Sequence, residues 1–326
     1  MRFRAKRGTD RSIVPETIPT AWTLTEGHAG MRAQVEGLAE AMGLTAARRD
    51  VRARLPWDWL PGRVWPAPLA AVTPRPAPPW PGLVISTGNV AAPVAAALRR
   101  KGVRAVHVQN PKMDLRLFDV VVAMRHDRLS GPNVLVTRTA IHRVTQARLE
   151  AARAEWAPRL AHLPRPLVAV LAGGSNGRFT LDAAVGAALA DRLATMMRQD
   201  RAGVFVTPSR RTDPAVTATL AAKLRPLGAE VWDFAGDNPY FGLIASADAI
   251  VVTQDSVSMV SEACATTAPV LIAELPGRSR RIAQFLADLR GDGRIRPFAG
   301  RLETWDVTPI DDTPQAAAEV RRRLGF

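Results

Sequence analysis

Between Asp255 and Glu262 the chain sets two carboxylates and the hydroxyls of Ser256, Ser258 and Ser261, after the apolar run Ala249–Val252 and the pair Thr253-Gln254. A strand that hands over to a helix needs a polar cap, and Asp255 or Ser256 supplies it. With the helix starting there, Ser258, Ser261 and Glu262 fall on one face, and Val257, Val260 and Cys264 on another. Hydroxyls and unpaired amides at a helix start suit a diphosphate. A carboxylate one or two turns further on suits the hydroxyls of a ribose or hexose. Capping and a wet helix face are the plainer reading. They do not account for Ser258, Ser261 and Glu262 together.

Two further segments carry related chemistry. Gly173, Gly174 and Ser175, in "AGGSNGRF", follow an apolar strand, and glycines there let a ligand come close to the backbone. Ser209, Arg210 and Arg211, in "TPSRRTDP", put two guanidinium groups at a strand end, where they suit phosphate. Each also has a plain reading, as a strand-to-helix turn and as a solvated basic turn. The glycine segment lacks the spacing G-x-G-x-x-G and no G-K-S/T follows it, which argues against hydride transfer and NTP hydrolysis. His28, in "EGHAG", is the candidate general base toward an acceptor hydroxyl. Tyr240, the only tyrosine, lies in "NPYFG", which either walls a nucleobase pocket or turns the chain. No H-E-x-x-H or C-x-x-C occurs, so neither a metal nor a tightly bound cofactor is expected.

These segments share a context. Each follows a short apolar run and precedes a helical pattern, and that alternation predicts a parallel sheet wrapped by helices. It runs twice. A first half holds "AWTLTEGHAG", "GLVISTGN", "RAVHVQNP", "FDVVVAMRHD" and "NVLVT". A connecting helix over Val144–Pro164 leads to a second half with "PLVAVLAGGSNGRF", "GVFVTPS", "AEVWDF", "ADAIVVTQ" and "PVLIAEL". The expected fold is α/β, with two Rossmann-like domains over residues 1–150 and 151–326 facing a cleft. A last helix, Pro314–Leu324, is free to pack across either half. Ligands of such sheets bind at the carboxyl ends of strands, which is where the polar segments gather.

At 47% apolar and 23% charged residues the composition is that of a globular protein, and no apolar run is long enough to span a bilayer. The net charge of +14 invites a nucleic-acid reading, but only four of the 44 basic residues are lysine and the arginines are spread along the whole chain. With no nucleic-acid signature and no aromatic ladder, no specific nucleic-acid partner is expected. The charge instead favours anions in general, phosphates and anionic lipid surfaces included. The first dozen residues read as a solvated basic arm. Cys264, the lone cysteine, reads as a packed small hydrophobe and fits a reducing compartment.

Quoted in order, "TEGHAGMRAQVEGLAEAMG", "VHVQNPKMDLRLFDVVVAMRHDRLSGPNVLVTRTAIHRV", "TPSRRTDP", "NPYFGLIASADAIVVTQDSVSMVSEA" and "APVLIAEL" resemble the mitochondrial-fission, or elongated-mitochondria, family. The resemblance implies a GT-B-like fold, the two-domain architecture of nucleotide-sugar glycosyltransferases, in a bacterial member of the family. It implies Gly173, Gly174 and Ser175 near the phosphates, Ser256 and Ser258 near the diphosphate, and Glu262 near the ribose. A nucleotide sugar is the expected donor, the acceptor is unknown, and a cytoplasmic protein is expected, with peripheral contact at the inner membrane left open. The name nucleoside-diphosphate-sugar epimerase, attached to some bacterial members, sits poorly with the missing dinucleotide fingerprint. The alternative is a non-catalytic binding or scaffold protein of the same fold.

Overall fold

The computed structural model describes residues 20–326, so the basic arm at the start of the chain lies outside it. The first domain runs β1 (Ala21–Thr25), α1 (Ala29–Ala41), β2 (Ala46–Asp50), β3 (Arg52–Ala53), β4 (Val72–Thr73), β5 (Leu83–Thr87), α2 (Ala91–Arg99), β6 (Arg104–Val108), β7 (Val120–Met124) and β8 (Val134–Thr137). Six of its strands form one parallel sheet in the order β2-β1-β5-β6-β7-β8. β3 and β4 pair separately as a small antiparallel ribbon. The Pro- and Trp-rich stretch thus holds a ribbon and two turns of 3-10 helix, at Trp57–Trp59 and Gly62–Val64.

The second domain runs α3 (Gln146–Leu160), β9 (Leu167–Ala172), α4 (Ala183–Asp200), β10 (Gly203–Pro208), α5 (Pro214–Leu224), β11 (Glu230–Val231), α6 (Tyr240–Ser246), β12 (Ala249–Thr253), α7 (Val257–Cys264), β13 (Val270–Ala273), α8 (Arg280–Gly291) and β14 (Ile295–Pro297). Its sheet is also parallel, ordered β11-β10-β9-β12-β13-β14. Parallel strands covered on both faces need continuous apolar runs, and β9 and β12 are buried at every position. Strand order reverses between β9 and β12 in this sheet, and between β1 and β5 in the first. Those reversals open the crevices where α/β proteins take ligands.

The sequence boundary at 150/151 falls inside α3. That helix packs on α6 so closely that a Cβ added at Gly242 would lie 2.1 Å from the Trp156 ring, and this contact ties α3 to the second domain. The last helix, α9 (Thr313–Leu324), returns to the first domain. Its Ala316, Ala317, Val320 and Leu324 join Val35, Leu38 and Met42 of the α1 region in one apolar cluster. Burying Val320 and Leu324 alone contributes roughly 1.5–3 kcal/mol each. Asp312 holds the crossing in place, with Oδ1 2.6 Å from Arg138 Nη2. Arg143 adds contacts to Glu36 at 3.0 Å and Glu40 at 2.6 Å.

Candidate functional site

Three loops meet at the reversal in the second sheet. They follow β9, β10 and β12, and Asp255 joins them. Its side chain has no exposure, and its Oδ1 accepts from Thr253 Oγ1 at 2.7 Å. Its Oδ2 accepts from the Gly174 amide at 3.1 Å and from Arg211 Nη2 at 2.8 Å. Thr253 Oγ1 in turn takes the Gly173 amide at 2.7 Å. Both carboxylate oxygens are therefore engaged inside the protein. Asp255 is a brace, not an open ligand for a sugar or a phosphate.

The same contacts explain the glycines. A Cβ on Gly173 would come within 2.2 Å of the Asp255 carboxylate, and one on Gly174 within 2.1 Å of the Arg211 carbonyl oxygen. Glycine is required here by the approach of neighbouring loops. Ser175 closes its own loop, with Oγ accepting from the Leu181 amide at 2.8 Å. Ser209 Oγ accepts from the Arg211 amide at 3.2 Å and shares a hydrogen bond with Thr212 Oγ1. Thr212 Oγ1 also donates to the Gly173 carbonyl, so the β9 and β10 loops form one unit. Arg210 is exposed on this turn, and Arg211 is half-exposed while holding Asp255.

The start of α7 resolves residue by residue. Ser256 is the N-cap, its Oγ accepting from the Met259 amide at 3.4 Å. The first amides of a helix have no intrahelical acceptor. With that of Met259 taken by Ser256, those of Val257 and Ser258 are the ones suited to an anion. Ser258 is half-buried and faces the first domain: a Cβ added at Gly30 would sit 3.0 Å from its Oγ. Ser261 does not face a ligand. It is fully buried and accepts the Ala140 amide at 3.0 Å, a bond between the second domain and the segment leading out of the first. Ser261→Ala leaves that buried amide without its acceptor. It is expected to cost about 1–3 kcal/mol in denaturant unfolding, against little for the half-buried Ser258→Ala.

Glu262 has an unusual environment for a carboxyl group. It lies on α7 at 9% exposure and accepts a short hydrogen bond from the Tyr240 hydroxyl at the start of α6. Burial pushes its carboxyl up to about 7, against the lowering effect of the Tyr240 bond, and burial pushes the phenol well above its usual range. Tyr240 is thus placed on Glu262, a pairing across 22 positions that local spacing does not announce. Cys264, on the same helix, is fully buried, and burial drives its thiol up to about 12.

Across the cleft, the loop after β1 is held by its own ion pair. Arg32 Nη2 lies 2.6 Å from Asp50 Oδ2, while Asp50 Oδ1 accepts from Thr25 Oγ1 at 2.7 Å. The Arg32 guanidinium holds the Asp50 carboxyl below its ordinary value. Glu26 Oε1 accepts from the Val90 amide at 2.7 Å and so fills the start of α2. His28 is the N-cap residue of α1, and its side chain is exposed and makes no capping bond. Arg32, Asp50 and Thr25 carry no motif by which spacing alone identifies them. Among the described residues no cluster of three metal-ligating side chains occurs. No helix among them is long and apolar enough to cross a membrane.

A model of the family described as "Mitochondrial fission ELM1" matches residues 29–324. The "Mitochondrial fission protein ELM1" of Arabidopsis thaliana is 31% identical over 277 residues, which are 75% of this chain. The match spans 64% of the plant protein, less than two thirds of its length. An uncharacterized protein of Rickettsia prowazekii is 24% identical over 286 residues, covering 75% of this chain and 80% of that one. Among solved structures, the UDP-GlcNAc 2-epimerase of Methanocaldococcus jannaschii in complex with UDP-GlcNAc and UDP has a TM-score of 0.56 at 10% identity, covering 94% of this chain and all of the other. The UDP-GlcNAc 2-epimerase of Neisseria meningitidis bound to UDP-GlcNAc gives 0.51 at 11% identity, over 93% of this chain and all of the other. At such identities the likeness is one of fold. That fold is GT-B-like.

Proposed function

The chain belongs to the mitochondrial fission ELM1 family, and from its cleft we propose that it binds a nucleoside-diphosphate sugar and transfers the sugar to an acceptor hydroxyl. The donor would lie at the strand reversal of the second domain, and the acceptor would enter from the first. The observation that carries this reading is Glu262, a nearly enclosed carboxylate one turn beyond a helix start with anion-suited amides. In this reading Glu262 exchanges its bond from Tyr240 for ribose hydroxyls. The amides of Val257 and Ser258, with Ser258 Oγ, take the diphosphate. Exposed Arg210 neutralises the charge that develops on the leaving group, and Arg211 acts through Asp255 to hold the loops. His28 is the base toward the acceptor. Catalysis of this kind is positioning plus electrostatic stabilisation of the departing diphosphate. The nucleotide sugars bound by the two epimerases of similar fold are in keeping with such a donor.

The pH dependence follows from Glu262. Its carboxyl sits at about 7 in the folded protein against an ordinary 4.5, so between those values the folded state holds a proton that the unfolded chain has released. That contribution to stability is present below 4.5 and is lost as pH rises through 7. A ribose that bonds the ionised carboxylate reverses the trend, because binding draws on the deprotonated form. Titration with UDP-, GDP-, ADP- and CMP-sugars by calorimetry is expected to find one class that binds more tightly at pH 8 than at pH 6. Glu262→Gln should weaken it about tenfold or more, with a flat pH profile. Silence from all four nucleotide classes sinks the reading. A wild-type profile that Glu262→Gln leaves unchanged removes Glu262 from it.

A further inference from the structure

The large apolar side chains that face solvent are not scattered. Of the six found among the described residues, Leu55 (69% exposed), Trp59 (78%), Leu60 (46%) and Val64 (53%) all lie within ten positions of the first domain. Their segment is anchored from behind. Trp65 is buried and donates from Nε1 to the Leu60 carbonyl at 3.1 Å, and Trp57 packs against the domain's core. A Cβ on Gly62 would lie 2.8 Å from the Pro93 ring and 3.0 Å from the Asn89 carbonyl oxygen, so the segment is seated on the start of α2. A fixed support that turns its apolar tips outward is not a frayed loop. Soluble proteins keep such patches small unless something covers them.

The surroundings say what covers it. Residues 51–80 carry four exposed arginines, Arg52, Arg54, Arg63 and Arg75, against a single acid, Asp58. An indole with aliphatic neighbours suits the boundary between headgroups and acyl chains, and a rim of arginine suits anionic headgroups. A second copy of the chain fits badly, since it brings the same arginine rim and the same net charge of +14. Nucleic acid would meet the charge, but one indole, Trp59, is the only ring among the four tips, and stacking on it would leave Leu55, Leu60 and Val64 uncovered.

We propose that this segment, with Leu55, Trp59, Leu60 and Val64 exposed beside the exposed Arg52, Arg54, Arg63 and Arg75, docks the protein on an anionic lipid bilayer. The seat on Asn89 lies at the carboxyl edge of the first sheet, so docking turns the acceptor side of the cleft toward the headgroups. That last consequence rests on the reading of the cleft given above; docking itself does not.

Flotation of the full chain with vesicles tests it. Wild type is expected to float with an equal mixture of phosphatidylcholine and phosphatidylglycerol and to stay behind with phosphatidylcholine alone. Trp59→Ser with Leu60→Ser should lower partitioning roughly tenfold or more. Arg52→Gln with Arg63→Gln should shift binding to lower salt. All four positions are exposed, so unchanged thermal unfolding is expected and serves as the folding control. Unchanged nucleotide-sugar titration separates this proposal from the donor-site reading. Equal flotation of the Trp59/Leu60 variant, or no flotation of wild type, overturns the proposal. So does a dimer in light scattering, or duplex-DNA binding, that the same two substitutions abolish.

Discussion

Arg294→Met is expected to lower the unfolding free energy by about 2–4 kcal/mol, seen as a fall in denaturant midpoint at constant slope. Arg294 is 1% exposed and stands just before β14, behind the C-terminal end of α7. Its Nε donates to the Cys264 carbonyl at 3.0 Å, and its Nη2 to the carbonyls of Ala263, Thr266 and Ala268 at 3.1, 2.8 and 3.0 Å. These are orphan carbonyls of a helix end and its following turn, which a buried guanidinium gathers at once. Two have other donors: Cys264 accepts from the Ile310 amide at 2.9 Å, and Ala263 from the Thr266 hydroxyl at 2.8 Å. Those of Thr266 and Ala268 depend on the arginine, and each buried carbonyl left unpaired costs roughly 1–3 kcal/mol. Methionine relieves part of this by removing a buried charge, whose burial already pushes the guanidinium pKa down. A change below about 1 kcal/mol would show that the carbonyls find other partners.

Asp255→Ala is the second large effect, expected at roughly 2–4 kcal/mol together with loss of the nucleotide-sugar binding proposed above. The substitution orphans the Gly174 amide, takes the acceptor from Thr253 Oγ1 and releases Arg211 Nη2, leaving Arg211 only its Nη1 bond to the Gly174 carbonyl at 3.2 Å. It also opens the space that Gly173 exists to leave. The order of related variants is the sharper test. Asp255→Asn keeps the shape but turns one donor toward another, so it should fall between Asp255→Ala and wild type. Arg211→Gln should be the mildest for stability, because that side chain is 45% exposed and solvent replaces much of what it loses. If Arg211→Gln destabilises as much as Asp255→Ala, the brace is centred on the arginine and not on the carboxylate.

Local pattern was readable because it is local. The strand-loop-helix alternation, a cap at Asp255 or Ser256, of which Ser256 is the one used, and the burial of Cys264 all follow from residues within a turn or two of one another. The helix Arg280–Gly291 also announces itself, through Ser279 as cap and the apolar spacing Ile282, Phe285, Leu286, Leu289, although it lies outside the segments read from sequence. The edge strand Ala46–Asp50 does not: its central residues are all exposed, so neither alternation nor an apolar run marks it, and pairing with β1 creates it. Side-chain partners were the harder part. Ser261 looks like a ligand group until Ala140, 121 positions away, arrives to use it. Glycines at 173 and 174 suggest an approaching phosphate, where the atoms that approach are those of Asp255 and Arg211.

Helix α9 places the order of assembly against the order of synthesis. The first domain emerges from the ribosome first, yet one wall of its core is made by Ala316, Ala317, Val320 and Leu324, which are translated after the whole second domain. Until they arrive, the apolar face of α1 has no cover from that side, and a half-finished core is the state in which chains stick to one another. Apart from Met124 at the end of β7, the second domain draws its core from within its own stretch of chain and from the segments flanking it. It is therefore the one able to close first, and the earlier-made domain waits for the last-made helix.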